Sequence, residues 1–260
     1  MGETPVKKRI QPHIRLGEGD VADVVFIAGN PDRIPKIAAK MKDSEELGTY
    51  RGLVSYRGFT PKGVEVTVAT SGMGTPSTAI VIEELYKLGA KVFIRIGTCG
   101  GVNPSMKTGD VVVATGAVRD ELTSLNYAPM EYPAIATPEL YTALYDAIQD
   151  LLPAERVYAG IVWSTDIYYD HREGDILGRW TRANVQCVEM ESSLLFVFAQ
   201  TRGLQAGSIL TCDGNLHGAQ KGEQADETEQ SGEQDPRLIE AVQKEIEAAI
   251  KAVDVLYAKS

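Results

Sequence analysis

The stretch from Val92 to Gly101 has the sequence VFIRIGTCGG and decides the fold. Its first half, residues 92–96, is apolar and largely β-branched, which is typical of a buried strand. Arg95 interrupts this run, and a buried charge is costly unless another group pairs with it. The glycines that follow predict a turn whose backbone N–H groups can approach a ligand closely. Arg95, Thr98 and this turn together predict an oxyanion pocket at the carboxyl end of a strand; the alternative is an arginine paired with a structural carboxylate.

Strand and helix patterns alternate along the rest of the chain. Further strands are predicted at 21–28, 51–56, 64–69, 110–114, 157–163, 185–188 and 206–211, and helices at 34–41, 78–88, 138–152, 191–201 and 237–256. This alternation is typical of an α/β fold with helices on both faces of a sheet. We therefore expect a single three-layer α/β/α domain over residues 1–260, with a mixed, mostly parallel central sheet. The polar stretch 216–235 predicts a mobile surface loop, which could be a bland insertion or a lid.

Composition excludes several classes of protein. The 260 residues are 43% hydrophobic and 24% charged, as in a soluble globular domain, and the formal net charge is −10. This charge argues against binding to nucleic acid and requires local cations for any anionic substrate. No apolar stretch approaches the roughly 18 residues that span a bilayer, and residues 1–11 contain no apolar signal core, so we expect a cytoplasmic protein. Three cysteines, without a C-x-x-C pair, predict reduced and buried thiols.

Three glycine-rich turns are predicted to follow strands, at 29–33, 71–77 and 97–101. None has the dinucleotide-binding spacing or the lysine of a nucleoside-triphosphate loop, so neither kind of ligand is indicated. Arg33 and Arg95 accompany two of the turns. Two guanidinium groups with backbone donors match a small oxyanion such as phosphate.

Two acidic residues flank a methionine where a strand enters a helix. If the segment is extended, Glu189 and Glu191 point to the same side, and a carboxylate can accept hydrogen bonds from both hydroxyls of a vicinal diol. Met190 offers an apolar surface to a sugar or a ring. These three residues are therefore candidates for nucleoside binding, and the alternative is a pair of acids that stabilise a helix N-terminus.

Two further positions carry candidate chemistry. Asp213 follows an apolar strand and is either a helix cap or a functional acid, because a partly buried carboxyl can hold a proton near neutral pH. Tyr168 lies in the segment 164–169, STDIYY, and could stack on a base or belong to the core.

These motifs, in this order, resemble the nucleoside phosphorylase I family. The resemblance covers nearly the whole chain and favours the hexameric branch of purine nucleoside and uridine phosphorylases, with the protozoan-type purine enzymes as the nearest match. The matching segments are Pro12-His13-Ile14, Gly29-Asn30-Pro31-Asp32-Arg33, Tyr50-Arg51, Ser71-Gly72-Met73-Gly74, Ile94 to Gly100, Val188-Glu189-Met190-Glu191, and Asp213.

The resemblance implies a pentosyltransferase that exchanges a nucleoside's base for phosphate. The implied phosphate ligands are Gly29, Arg33, Arg95, Thr98 and, from a neighbouring subunit, Arg51. The implied nucleoside contacts are His13 of the neighbour at the 5′-hydroxyl, Met190 and Glu191 at the ribose, Tyr168 at the base or sugar, and Asp213 at purine N7. It also implies a homo-oligomer, a hexamer built as a trimer of dimers, which needs no metal or organic cofactor besides the co-substrate phosphate.

The sequence departs from the family pattern at three places, and the last of them bears on the choice of base. Thr98 stands where many members have serine, and the hydroxyl is retained. The bacterial purine enzymes have an arginine shortly after this aspartate that helps it to act as an acid. Residues 214–218 here are GNLHG, so the strength of acid assistance by Asp213 is left open. The Gln-x-Arg pair of the uridine branch is absent after Tyr169, where residues 170–174 are DHREG. We therefore favour purine nucleosides; the alternatives are a uridine phosphorylase, a broad-specificity or methylthioadenosine phosphorylase, and a nucleoside-binding protein without catalysis.

Overall fold

The computed structural model describes residues 10–172, 175–220 and 235–258. The strands are β1 (Val24–Ala28), β2 (Lys42–Tyr50), β3 (Leu53–Phe59), β4 (Glu65–Thr70), β5 (Val92–Gly101), β6 (Val111–Asp120), β7 (Ala134–Ile135), β8 (Val157–Thr165), β9 (Cys187–Glu189) and β10 (Gln205–Asn215). The helices are α1 (Arg33–Ala38), α2 (Thr75–Lys87), α3 (Pro138–Gln149), α4 (Ile176–Arg182), α5 (Ser192–Thr201), α6 (Leu216–Gln220) and α7 (Pro236–Tyr257). Short 3-10 turns lie at Thr123–Asn126 and Ala154–Arg156.

All these strands belong to one mixed sheet in the order β10-β6-β8-β9-β5-β1-β4-β3-β2, with β7 beside β6. β10 also pairs in parallel with β5, so β5, β10, β6, β8 and β9 close into a ring. β1 and β4 continue the parallel sheet outward from β5. The carboxyl ends of β1, β4 and β5 therefore lie at the same edge, where open α/β sheets bind ligands.

Helices cover both faces of the sheet. The apolar residues of α1, α3 and α7 form one core with the side chains of β1 and β5 that point toward them. α2 and α5 form a second core against the opposite face. This arrangement confirms the expected α/β class with a mixed central sheet.

The hairpin of β2 and β3 was not predicted in full. β2 has the sequence KDSEELGTY and is largely exposed, so it lacks the apolar alternation that indicates a strand. It is an edge strand held by pairing with β3 alone. Arg51, predicted at the start of a strand, instead lies with Gly52 in the two-residue turn between them, both with positive φ (53° and 77°). Such turns require left-handed conformations, which are strained for arginine.

The predicted glycine turn at 97–101 is wrong. This segment continues β5, and residues 92–101 pair with β10 over its whole length. Gly100 and Gly101 also pair with β9 on the other side. Tertiary pairing overrides the low strand propensity of glycine here, so the residues of the predicted anion pocket lie in a strand.

The predicted loop at 216–235 is also corrected in part. Residues 216–220 form α6, where His217 Nε2 lies 3.0 Å from the Val102 carbonyl oxygen. Residues 221–234 lie outside the described residues, as do residues 1–9 of the segment searched for a signal peptide and residues 173–174 of the segment after Tyr169.

Cys99, Cys187 and Cys212 are buried and in no disulfide, as predicted. Burial raises the pKa of the Cys99 and Cys187 thiols, which keeps them unreactive.

Candidate active site

The two remaining glycine-rich turns meet beside the end of β5. A Cβ on Gly29 would lie 3.2 Å from the Gly72 carbonyl oxygen, so the first turn is packed against the second. Gly72 and Gly74 both have positive φ, at 72° and 80°, which glycine adopts without strain. The N–H of Gly74 donates to Glu191 Oε1 at 2.6 Å, which ties the second turn to the start of α5.

Arg95 lies at the centre of this edge and is clamped by two carboxylates. Its Nε donates to Glu189 Oε2 at 2.9 Å, and its Nη2 lies 2.6 Å from Glu191 Oε2. All three side chains are at most 5% exposed. Burial lowers the pKa of Arg95, but Glu191 and Glu189 outweigh this effect and the pKa is raised overall. The cation is thus fixed in place. The pairing of Arg95 with structural carboxylates is confirmed, and its role in an oxyanion pocket stays a prediction.

The two glutamates differ in their surroundings. Glu189 accepts hydrogen bonds from Ser164 Oγ and from the N–H groups of Glu191 and Ser192, besides Arg95. It therefore caps the first turn of α5, as the alternative interpretation of the acidic pair predicted. Glu191 contacts the Gly74 turn and Arg95, and burial raises its pKa. Glu191 is the better placed of the two to meet a ligand, with Met190 near Gly74 beside it.

Gly97 explains why a glycine follows Arg95 within the strand. A Cβ at this position would lie 2.7 Å from Arg95 Cζ and 2.8 Å and 2.9 Å from its two terminal nitrogens. The guanidinium group therefore lies directly against the Gly97 backbone. The sequence predicted an approach of the backbone to a ligand, whereas the contact in the structure is with a side chain of the same strand.

Arg33 begins α1 after the first glycine turn. Its Nη1 donates to the Ile96 carbonyl oxygen at 3.1 Å, which brings the guanidinium group to the same edge as Thr98. Nη1 also lies 4.0 Å from Glu245 Oε1, in α7. Glu245 was not a predicted site residue. A signal was available, because Glu245 stands four residues from both Ala241 and Ala249 on the buried stripe of that helix.

Asp213 lies in a β-bulge. β10 pairs Cys212 with Cys99 and Gly214 with Gly100, so Asp213 is left out of the register. Bulges re-aim a side chain, and the Asp213 side chain is exposed at the rim of the ring of strands. Tyr168 follows the end of β8, is 78% exposed, and stacks edge-on against Tyr169 with ring centroids 4.9 Å apart.

His13 and Arg51 lie on another part of the surface. The Nδ1 atom of His13 lies 2.6 Å from Glu84 Oε1 in α2, and the same carboxylate accepts the N–H groups of His13 and Ile14. Arg51 stacks over Tyr50 at 5.7 Å from its centroid. Glu84 was not predicted from the sequence, because its contact with His13 depends on the packing of residue 13 against α2. The contacts of His13 and Arg51 within the protomer thus differ from those of the Arg95 cluster.

Replacing Gly97 by alanine is expected to raise the KM for phosphate at least tenfold. The added methyl group displaces the Arg95 guanidinium group, whose partners hold it too tightly for it to move without loss of its hydrogen bonds. Steady-state kinetics with varied phosphate provides the measurement.

Gly207→Ala is the matched control, because a Cβ there would lie 3.0 Å from Leu144 Cδ1, far along β10 from Asp213. It should lower the thermal stability by a similar amount and leave the phosphate KM unchanged. Equal kinetics for both variants would show that the Gly97 contact is only packing.

A cavity of about 280 Å³ lies between the end of β8 and the turn after β6. Arg172 lines it and pairs with Asp120 at 2.9 Å and with Asp170 at 2.6 Å.

In the described part of the chain, no group of three or more His, Cys, Asp or Glu residues is arranged to hold a metal ion. Nor does any helix within those ranges have the length and apolarity needed to cross a membrane.

Comparison with known proteins agrees with the fold. Residues 23–251 match the model of the phosphorylase superfamily, and the chain therefore belongs to this family.

Relatives with established names differ in the nucleoside that they use. A guanosine phosphorylase from Halorubrum lacusprofundi is 36% identical over 95% of this chain and 99% of its own length. A uridine phosphorylase from Thermococcus kodakarensis is 38% identical over 77% of this chain and 76% of its own. A crystal structure of purine nucleoside phosphorylase from Toxoplasma gondii in complex with immucillin-H superposes with a TM-score of 0.81, at 32% identity, over 95% of this chain and 96% of that one. A uridine phosphorylase structure from Vibrio fischeri gives 0.81 at 29% identity over 94% and 96%.

Proposed function

We propose that this protein catalyses the reversible phosphorolysis of nucleosides. A phosphate oxygen attacks C1′ of the sugar, the bond from C1′ to the base nitrogen breaks, and the base leaves with a proton. Positive charge builds on the ribose in the transition state, and the phosphate dianion beneath it offsets that charge. Membership of the phosphorylase superfamily supports this reaction.

The observation that carries the proposal is the connection between Arg95 and Glu191. One buried guanidinium group touches the carboxylate that would accept the ribose hydroxyls, while its other face lies against Gly97 in the strand that would hold phosphate. A single rigid cluster thereby sets the distance between the nucleophile and the sugar. Such positioning is a large part of the gain in a two-substrate reaction.

The roles of the individual residues follow from this arrangement. Phosphate would be held by Gly29, Arg33, Arg95 and Thr98, and by Arg51 of a neighbouring subunit. The nucleoside would be held by Met190, Glu191 and Tyr168, and by His13 of the neighbour, while Asp213 would assist the leaving base. Glu189, whose oxygens are engaged with Arg95 and the α5 N-terminus, would position the arginine and not contact the nucleoside itself. We propose that the reaction needs no metal or organic cofactor, because the charges are supplied by these side chains and by phosphate.

A purine is the base that we favour. Asp213 can share a proton with purine N7, an atom that has no counterpart at that place in uracil. A relative that matches over 95% of this chain and 99% of its own length bears the name guanosine phosphorylase. Arg172, the arginine nearest to the place of the uridine-branch pair, is engaged by two aspartates beside the cavity. Uridine phosphorylase is the second candidate, supported by the relatives and the structure of that name.

A phosphorolysis assay over inosine, guanosine, adenosine, methylthioadenosine and uridine tests the proposal. Phosphate-dependent release of free base, fastest with a 6-oxopurine nucleoside, is the expected result. A preference for uridine would select the second candidate. Nucleoside binding without turnover, independent of phosphate, would identify a binding protein and contradict the proposed function.

We propose that the active protein is a homo-oligomer, most simply a hexamer of three dimers. His13 and Arg51 make their contacts away from the Arg95 cluster, so a neighbour is needed to bring them to a site. Large apolar side chains are exposed on the surface, including Leu122 at 69% and Met73 at 83%.

Sedimentation velocity at assay concentration is expected to give the mass of a hexamer, with no activity in any monomer fraction. His13→Ala mixed with a variant inactive at Arg95 should regain part of the activity, because a mixed interface contains one intact site. An active monomer would contradict the shared site.

A further inference from the structure

Glu245 is a buried acid that the reaction outlined above does not use. It lies in the middle of α7, and its side chain is fully buried. Its Oε2 atom accepts a hydrogen bond from Thr211 Oγ1 at 2.7 Å. Its Oε1 atom has no hydrogen-bond donor among the described residues. A buried carboxylate oxygen without a donor is costly, so its retention calls for an explanation.

The position of this carboxylate supplies that explanation. Arg33 Nη1 lies 4.0 Å from the unpaired oxygen and is the nearest cation. Thr211, its hydrogen-bond donor, is the register partner of Thr98 across β5 and β10. Glu245 therefore lies directly behind the pocket that Arg33 and Thr98 would form, on the side away from solvent.

We propose that Glu245 is a positioning residue for the anion pocket: its carboxylate orients Arg33 and, by its own ionisation, sets how strongly that arginine attracts phosphate. The proposal rests on the proposed function, in that it takes the ligand at Arg33 to be phosphate. It adds a residue that touches neither substrate and acts through the arginine.

The groups that interact electrostatically with Glu245, or donate a hydrogen bond to it, lie on α1, β5 and β10, which pack against α7. They are Arg33 on α1, Arg95 and Cys99 on β5, and on β10 the hydroxyl of Thr211, while α3 presents apolar residues to the same core. The arginines stay charged and burial keeps the Cys99 thiol protonated over the neutral range. Burial raises the pKa of Glu245 from 4.5 to about 7, although Arg33, Thr211 and Arg95 oppose this shift.

The sign of the effect follows from the two ionisation states. When Glu245 is protonated, Arg33 presents its full charge to an anion in the pocket. When Glu245 is ionised, it competes with the anion for that charge and the anion binds less tightly. By linkage, an anion that raises the pKa of Glu245 by one unit must itself lose about tenfold in affinity as the carboxyl ionises.

Calorimetric titration with sulfate tests the proposal without any need for turnover. Sulfate remains a dianion between about pH 5.5 and about pH 8.5, whereas phosphate changes its charge in this range. A change in sulfate affinity with pH therefore reports on the titration of the protein. The wild type should lose about tenfold in sulfate affinity over the range. Glu245→Gln should bind sulfate with nearly the same affinity throughout, close to that of the wild type at low pH. The control is Glu247→Gln, on the same helix, whose carboxylate pairs with Lys40 and Lys244 at the surface.

A wild-type affinity that does not change with pH, or a profile that Glu245→Gln leaves unchanged, overturns the proposal. Thermal unfolding gives a second readout. Because the folded-state pKa is raised, Glu245 stabilises the fold below about pH 4.5, and this contribution is lost as the pH rises through about 7. The melting temperature of the wild type should therefore fall relative to that of Glu245→Gln across this window, and parallel curves would contradict titration of Glu245. If no nucleoside is phosphorolysed but sulfate affinity depends on pH as expected, the proposed reaction is overturned and the role of Glu245 at the anion pocket is supported.

Discussion

Replacing Arg95 by alanine is expected to remove measurable phosphorolysis. The variant lacks the forked cation that would contact phosphate, and charged hydrogen bonds of this kind contribute about 1.5–3 kcal/mol each. Loss of two such bonds lowers kcat/KM for phosphate by roughly 10²- to 10⁴-fold. The change also leaves Glu189 and Glu191 buried without their partner, which costs about 3–5 kcal/mol of folding free energy. Initial rates at varied phosphate and the midpoint of urea unfolding measure the two effects.

Arg95→Lys separates catalysis from stability in this prediction. Lysine keeps the charge between the two glutamates but cannot bridge both while contacting a third group. This variant should stay folded and still raise the phosphate KM by at least tenfold. Arg57→Lys, at an arginine paired with Glu45 on the outer hairpin, is the control and should match the wild type. Near-normal phosphate kinetics in Arg95→Lys and Arg95→Ala would exclude Arg95 from the phosphate site.

Replacing Asp213 by asparagine is expected to lower kcat for inosine or guanosine by about 10²-fold or more, the usual range for a general acid. Asparagine keeps the size and a hydrogen-bond donor but has no transferable proton. Any slow turnover of uridine should fall much less, because uracil offers no N7. The bulge at Asp213 supports a role in ligand contact, since the backbone there leaves the ladder to turn this side chain outward.

Both substrates are measured on the wild type, on Asp213→Asn and on Asp23→Asn, a surface carboxylate paired with Lys91 that should have no effect. Equal losses for inosine and uridine would mean that Asp213 acts on the sugar or on the structure. The uridine alternative would then be the preferred function.

Much of the fold follows from apolar runs alone. β1 is apolar throughout and α5 contains the apolar run LLFVFA, so the burial of both could be predicted, because no other placement removes them from water. β2 could not be predicted, since a polar edge strand is specified by its neighbour and not by its own pattern. Gly97 was wrongly assigned to a turn, because its pairing with β10 and its contact with the Arg95 side chain are visible only in three dimensions.

The residues of the candidate site, too, could be predicted from the sequence only in part. The charge on Arg95 in an apolar run predicted a site. The acids at 189 and 191 predicted a helix N-terminus, which Glu189 caps, and a sugar contact, which stays a prediction. Glu84 and Glu245 could not be assigned, because each acts across a tertiary contact, with His13 and with Arg33. An acid on the buried stripe of a helix is nevertheless a local signal that something charged lies opposite.

The anion pocket belongs to a strand that is paired along its whole length, and this has an evolutionary consequence. Few changes in β5 are tolerated, since Gly97 has no room for a side chain and Arg95 cannot shift without releasing two acids. The positions assigned to the base, Asp213 in a bulge and Tyr168 beyond the end of β8, stand outside that ladder. Under the proposed function, substitutions at the rim can therefore exchange one nucleobase for another while the proposed phosphate site in β5 stays unchanged.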